Sequence, residues 1–368
     1  MSGPTVQTLY RFPVKGFAGQ KLDETVIEAG KGIPFDRRYA VTNGVEYEGE
    51  WMRSRSFFVN AVVDDMMKFT MDFDGHQLKL VNANGEEINL VPDDGESLSR
   101  ANQAIAGFMQ PVGVQPDLPR PALIDRGRNG AMWDYVDTPI SIINAESVRA
   151  AGKAMGEELD PLRFRGNIVI SGLPAWQEFS WMGKRVRIGG VELDVHRPID
   201  RCPTPGVNPQ TGERDIPVTP GLNEHFGHIY CGMYARPVSG GKIGQGDSIS
   251  VTGDGSAAHE NCIVANASKY AQWPRMAEVD GCRIDKQQTS IRLKAIGPWP
   301  LPTAKPGQKL RLHLGDQGWT SAYLSRAENG SYEISVEDSK TGDPVTARLR
   351  SGFEPGSSVV ISGPYGRV

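Results

Sequence analysis

The sequence predicts a mainly β protein with some α, an α+β chain built from several β-rich units. Three observations carry this reading. The 368 residues include 43 Gly and 26 Pro, which favours turns and short strands over long helices. Short alternating apolar runs recur along most of the chain. Asp74-Gly75, Asn84-Gly85 and Gly189-Gly190 stand between such runs, and these dipeptides are strong hairpin signals. A chain this long fits two or three cores better than one.

The elements follow in order. Val6 to Phe12 alternates loosely, and Pro13 ends it. Phe69–Phe73, Gln77–Val81 and Glu87–Val91 are three short strands joined by the two Xaa-Gly turns. Gly95 to Met109 reads as a helix, with Leu98, Ala101, Ile105 and Phe108 at helical spacing and Pro111 past its end. Residues 111–136 form a loop rich in Pro, Gly and Arg. Its Arg120, Arg126 and Arg128 read as solvated charges or as an anion entrance. A strand begins at Asp137-Thr138, and Asn144 caps the helix that carries Ser147, Val148, Ala151 and Met155. Asn167 to Ser171 enters the core, and Arg185 to His196 is a hairpin. Residues 253–288 read as a linker. From Thr289 the strands resume, ending with Ser358 to Gly366.

Composition narrows the function. A net charge of −4 gives no general pull toward nucleic acid or an acidic membrane. No apolar stretch reaches membrane-span length, and the N-terminus has no leader pattern, so a reducing cytoplasm is the default. Cys202, Cys231, Cys262 and Cys282 are widely spaced, with no Cys-x-x-Cys, so neither a zinc knuckle nor an iron–sulfur run is written here. Cys202 stands out. It follows a strand and adjoins Arg201, with His196 and Arg197 upstream, and nearby cations favour the thiolate. Pro203 and Pro205 stop the strand and stiffen the loop. A lone Cys is more often a small buried hydrophobe than a reactive thiol.

The motifs around Cys202 add to this reading. Arg163-Phe164-Arg165-Gly166-Asn167-Ile168-Val169-Ile170, then Arg201-Cys202, then Asn208-Pro209-Gln210-Thr211-Gly212 and Gly244-Gln245-Gly246-Asp247 resemble the MOSC domain. That family is named for the C-terminal domain of molybdenum cofactor sulfurases. Tyr10 to Gly16 and Phe35 to Val41 resemble the small β-barrel that precedes it in the amidoxime-reducing branch. The ending Ser358 to Gly366 resembles the flavin-binding antiparallel β-barrel of ferredoxin-reductase-type proteins.

The resemblance implies an N-terminal β-barrel-like domain over 1–95, a MOSC β-barrel domain over 96–252, and a reductase-like barrel over 289–368 without its nicotinamide domain. It implies molybdenum-molybdopterin as cofactor, with Cys202 as metal ligand and Asp200 beside it in place of a serine. Lys15, Arg37, Thr138, Arg165, Asn167 and Arg201 are then cofactor-binding residues. Gly16 replaces the serine often found after the lysine. The implied reaction is reduction of a small N-hydroxylated substrate, with electrons from a separate flavin reductase or a 2Fe-2S ferredoxin. At family level the resemblance also carries pyridoxal phosphate binding. The barrel raises FAD or FMN as a ligand, yet Ser321 stands where the arginine for the flavin phosphate would be. The chain stops at Val368, before any nicotinamide or ferredoxin domain, which reads as a fragment of a fusion or as use of separate donors. The same charged thiol also suits a sulfur carrier holding a persulfide on Cys202. A third reading is a non-catalytic adaptor that docks a reductase through residues 289–368.

Overall fold

The structure is a computed structural model that describes residues 3–52, 54–59, 64–82, 84–109, 121–127, 130–255, 272–285, 288–296, 301–314, 318–328, 330–337 and 344–365. The N-terminal third supplies β1 (Thr5–Arg11), β2 (Gln20–Leu22), β3 (Glu24–Ile27), β4 (Tyr39–Val41), β5 (Thr70–Phe73), β6 (Leu78–Val81), β7 (Glu87–Leu90), α1 (Gly95–Met109) and β8 (Leu123–Asp125). The middle supplies β9 (Ile140–Asn144), α2 (Ala145–Met155), β10 (Ile168–Ser171), β11 (Lys184–Ile188), β12 (Val191–Asp200), α3 (Val218–Phe226), β13 (Tyr230–Pro237), β14 (Gly241–Gly244) and β15 (Ile249–Asp254). The last part supplies β16 (Arg275–Ile284), β17 (Gln288–Ala295), β18 (Lys309–His313), β19 (Trp319–Glu328), β20 (Ser331–Glu337), α4 (Pro344–Arg350) and β21 (Ser358–Tyr365). The protein is mainly β with few helices.

An eight-stranded sheet in the order β15-β11-β12-β13-β9-β10-β1-β2 forms the centre. Its inner face buries Leu9, Ile142, Ile168, Ile170, Val186, Leu193 and Met233. β9 and β10 are parallel, and α2 makes the crossover between them. Asn144 caps α2 by accepting from the Glu146 N–H, and Gly156 ends it with φ +74°. The hairpin at Gly189-Gly190 pairs Ile188 with Val191, as the alternation predicts. The Asp74-Gly75 and Asn84-Gly85 turns join β5, β6 and β7 into a small sheet, against which α1 packs Ala101 and Ile105. The Phe108 side chain lies outside the described residues.

Two boundaries need correction. β1 pairs with β10, β3 with β14, and β4 with β8, so the division at residue 95 crosses these pairings. β16 begins at Arg275, inside the stretch expected as a linker, and is a full stave of the closed barrel β16-β17-β20-β19-β18-β21. Residues 256–271 of that stretch lie outside the described residues. The barrel core buries Leu293, Leu310, Leu312, Ile334 and Ile361.

The barrel rests on the central unit through the end of α3. The Arg311 guanidinium donates to the Gly227 carbonyl, and the Trp319 indole N–H donates to the Glu224 carbonyl at 3.1 Å. The His228 and His313 rings meet with centroids 5.0 Å apart. Burial pushes both imidazoles down, His313 to about 3, so the contact is between neutral rings. α3 has no clear sequence signal, because Pro217, Pro220 and Gly221 read as loop. Pro220 lies in the first turn, where its missing N–H would have had no helical partner.

Candidate functional site

β12 delivers Cys202. Its pairing with β13 shifts between Val195 and Arg197 and again between Pro198 and Asp200, and such bulges bend a strand and re-aim its end. Beyond Asp200 the chain turns through a short 3-10 segment, Thr204–Gly206, with Pro203 at its N-cap. The Cys202 side chain is left exposed, its thiol 3.1 Å from the Thr204 hydroxyl. Thr219 Oγ1, on α3, donates to the Cys202 carbonyl at 2.7 Å. Buried Arg163 holds the far side of the turn. It donates to both Asp215 carboxylate oxygens, at 2.8 and 2.7 Å, and to the Pro205 carbonyl at 3.4 Å.

Cys202 lines a cavity of about 950 Å³. That is the size of a small-molecule or cofactor site. All the candidate residues border it: Lys15, Arg37, Thr138, Arg165, Asn167, Asp200, Arg201 and Cys202. They are not alike in what they have free.

Arg37 and Arg165 both border the cavity and are hydrogen-bonded to each other. Arg37 donates to Asp36 and to the Arg165 carbonyl, and Arg165 donates to the Phe17 carbonyl at 2.6 Å. Burial and the Arg37 charge push Arg165 down to about 9, against the pull of Asp134, Asp36 and Cys202. Lys15 is buried, and its ammonium donates to Asp134 at 2.6 Å and to the Met132 carbonyl at 2.8 Å. Burial pushes Lys15 down, and Asp134 opposes it. The ammonium therefore has a counter-ion from the protein itself.

Three other candidates are committed to the backbone. Asn167 accepts from the Ser141 N–H and hydroxyl and donates to the Tyr10 carbonyl, which stitches β9, β10 and β1 together. Arg201 donates to the Cys231 and Phe164 carbonyls. Thr138 donates to the Tyr135 carbonyl at 2.9 Å and closes that turn. Asp200 is exposed and accepts from the Tyr135 hydroxyl at 3.2 Å.

Several finer expectations change. At Gly166 a Cβ would lie 2.2 Å from the Ile143 side chain, so packing against β9 demands a glycine there. Gly16 has φ +86°, and a Cβ would meet Met66 and the Val59 backbone at 3.0 Å, so a serine would be strained there by both space and conformation. Away from the cavity, the buried Glu178 carboxyl accepts from Asn144 and Ser147, and burial pushes it up. His196 is buried within β12 and does not border the cavity. Arg126 donates to the Gly49 carbonyl and also stays outside it, while Arg120 and Arg128 lie outside the described residues.

The sequence reading missed Asp134, Tyr135 and Tyr234. Asp134 accepts from Lys15, from Ser54 at 3.0 Å and from Tyr234 at 3.0 Å. Burial would raise its carboxyl, but Lys15 and Arg37 outweigh that and hold it well below the usual range. Trp133-Asp134-Tyr135 was a signal, since two aromatics around an acid in a loop suggest a site more than solvent.

Fold and cavity together define a β-rich protein with an exposed thiol and buried cations in one basin. The family model described as the MOSC domain matches residues 125–250, a span that includes Thr138, Arg165, Asn167 and Cys202. The chain contains a MOSC domain homologous to that of molybdenum cofactor sulfurase. The Caenorhabditis elegans molybdenum cofactor sulfurase is 26% identical over 265 residues, 68% of this chain and 36% of that protein. The chain thus spans about a third of that relative's length. Among solved structures, the YuaD protein from Bacillus subtilis matches 68% of this chain and 98% of its own at 16% identity, with a TM-score of 0.34. Phthalate dioxygenase reductase matches 26% of this chain and 30% of its own at 18% identity, with a TM-score of 0.23. Among the described residues, no helix is long and apolar enough to cross a membrane, and no cluster of three or more His, Cys, Asp or Glu could hold a metal.

Proposed function

We propose that the chain is a molybdenum-cofactor-dependent oxidoreductase that reduces small N-hydroxylated compounds. One observation carries the reading: the exposed Cys202 sulfur shares a cavity of about 950 Å³ with the guanidinium groups of Arg37 and Arg165. The residues present fit the cofactor. Cys202 offers one soft thiolate, the ligand type that suits a metal already held by dithiolene sulfurs. Arg37 and Arg165 match a phosphate, each charge-assisted bond being worth about 1.5–3 kcal/mol. Phe57, Phe58 and Tyr135 add apolar walls for a flat ring system.

When bound, the cofactor supplies two-electron oxygen-atom chemistry. An N-hydroxy compound, two electrons and two protons give the amine or amidine and water. The chain's part is orientation and proton handling. Cys202 would hold the metal, and Arg37 and Arg165 the phosphate. Lys15 would join them by exchanging Asp134 for phosphate oxygen. The Tyr135 hydroxyl, bonded to Asp200, keeps a proton at the cavity wall. Electrons would come from a flavin reductase or a 2Fe-2S ferredoxin, and the C-terminal barrel, with or without FAD or FMN, is where such a donor would act. A reducing cytoplasm belongs to the same reading, since it keeps Cys202 as a thiol.

A second reading is favoured by the exposure of Cys202 and by the sulfurase homology. Cys202 would carry a persulfide and hand its outer sulfur to an acceptor. Elemental and pterin analysis separates the two, with protein from a host that makes the cofactor. The oxidoreductase retains about one molybdenum per chain and turns over an amidoxime with a reduced viologen. Metal-free protein bearing Cys202 persulfide would overturn it in favour of the carrier.

A further inference from the structure

Helix α3 is held at both ends by groups of different origin. At its first turn, the Thr219 hydroxyl donates to the Cys202 carbonyl at 2.7 Å. At its last turn, Trp319 of the barrel donates to the Glu224 carbonyl at 3.1 Å, and Arg311 of the barrel donates to the Gly227 carbonyl. The two grips are five to eight residues apart, roughly 8–12 Å along the axis at 1.5 Å per residue. Gly227 has φ +69°, and a Cβ there would lie 2.9 Å from the Trp319 ring and 3.0 Å from Arg311. The barrel therefore closes on the helix end without space for a side chain. The body of α3 is fixed as well, since Val218, Leu222 and Phe226 are buried in the central core.

We infer that the C-terminal barrel positions the Cys202 loop through α3, with Thr219 and Trp319 as its positioning residues. A packed helix transmits a shift along its axis and does not absorb it, because its hydrogen bonds and core contacts are cooperative. The barrel sets where the helix end sits, and Thr219 passes that to the carbonyl of the residue whose sulfur works. The inference rests on Cys202 as the working sulfur, in either of the roles proposed above.

The test reads the thiol directly and needs no bound cofactor. Alkylation of Cys202 by iodoacetamide is followed in the full chain by site-resolved mass spectrometry, with Cys282 in the barrel as internal reference. Thr219→Val removes the hydroxyl, and Trp319→Phe removes the indole N–H while keeping a ring. Each variant should raise the Cys202 rate by roughly threefold or more, the scale of coupling between residues in contact. The double variant should react no faster than the faster single, Thr219→Ser should restore the native rate, and Cys282 should stay constant. A native Cys202 rate in Trp319→Phe overturns the inference, as do two effects that simply multiply. Full-length protein prepared without the cofactor leaves the Cys202 sulfur unligated in every variant, so a failure here is distinct from a failure of the proposed function.

Discussion

The Arg37 guanidinium donates to the Arg165 carbonyl at 2.9 Å, and both cations lie over one ring, that of Phe12, at 4.8 and 4.4 Å. Both residues also take left-handed backbone, with φ +52° and +53°. That conformation is uncommon without glycine and costs on the order of 1 kcal/mol or more each. The buried Asp36 carboxylate, 2.5 Å from Arg37, and Asp134 offset part of the repulsion between the two cations, and an incoming anion would offset more. Arg165→Gln and Arg37→Gln should each weaken phosphate or pyrophosphate binding by about tenfold or more, as one lost charge-assisted contact implies. Calorimetric titration of the full chain measures this, and unchanged affinity in both variants would remove the anion site.

Cys202→Ala should leave the fold intact. The side chain is exposed and its thiol hydrogen-bonds the Thr204 hydroxyl, so thermal unfolding should shift by no more than about 1–2 °C. Turnover should vanish. An Ala variant that keeps both molybdenum and full activity would take the metal-ligand role from Cys202.

The Arg163–Asp215 pair beneath the Cys202 loop should give stability an acid limb. Hydrogen bonding from Arg163, against some burial, pushes Asp215 down to about 2 from the ordinary 3.8. A carboxyl with a depressed folded pKa contributes fully above its unfolded value and loses that contribution as pH falls through the folded one. Native protein should thus lose stability between about pH 4 and pH 2, and Asp215→Asn should lose less over that window. Urea unfolding at pH 5 and pH 2.5 compares the slopes.

Glu178 should act in the opposite sense. Its folded pKa is raised by burial, so the folded state binds the proton more tightly than the unfolded state. Stability then falls as pH rises above the unfolded value near 4.5. Glu178→Gln keeps an acceptor for Asn144 and Ser147 and removes the charge, so it should flatten this fall and gain on the native protein by pH 8. Equal slopes for the two proteins would place a partner for the carboxylate that its surroundings do not show.

Gly227→Ala combines a positive φ with contact to Trp319 and Arg311. It should lower stability by about 1–3 kcal/mol. Gly85→Ala, also at positive φ but with open space around it, should cost less. Denaturant midpoints of the two variants give the comparison.

Much of the fold was legible because its signals are local. The Gly189-Gly190 hairpin, the Asn144 cap and the alternation of β12 depend on neighbours in sequence. α3 was not, since its prolines are tolerated only because of where they fall in the first turn. The start of the barrel at Arg275 was also hidden, because β16 buries alternate residues only weakly beyond Val279. In the site, Cys202 and the cations stood out by residue type. What each has left to offer a ligand did not, because that depends on partners far away in sequence. Asn167 looks like a ligand-binding amide until Ser141 and Tyr10 are beside it, and Lys15 looks like a free cation until Asp134 is.

The Lys15–Asp134–Tyr234 chain of contacts joins residues near the start, middle and late part of the same polypeptide. A ribosome-bound chain lacking Tyr234 has no complete wall on that side. The basin is therefore incomplete until Tyr234 has been made, and whatever it receives must arrive after the N-terminal and central strands have come together.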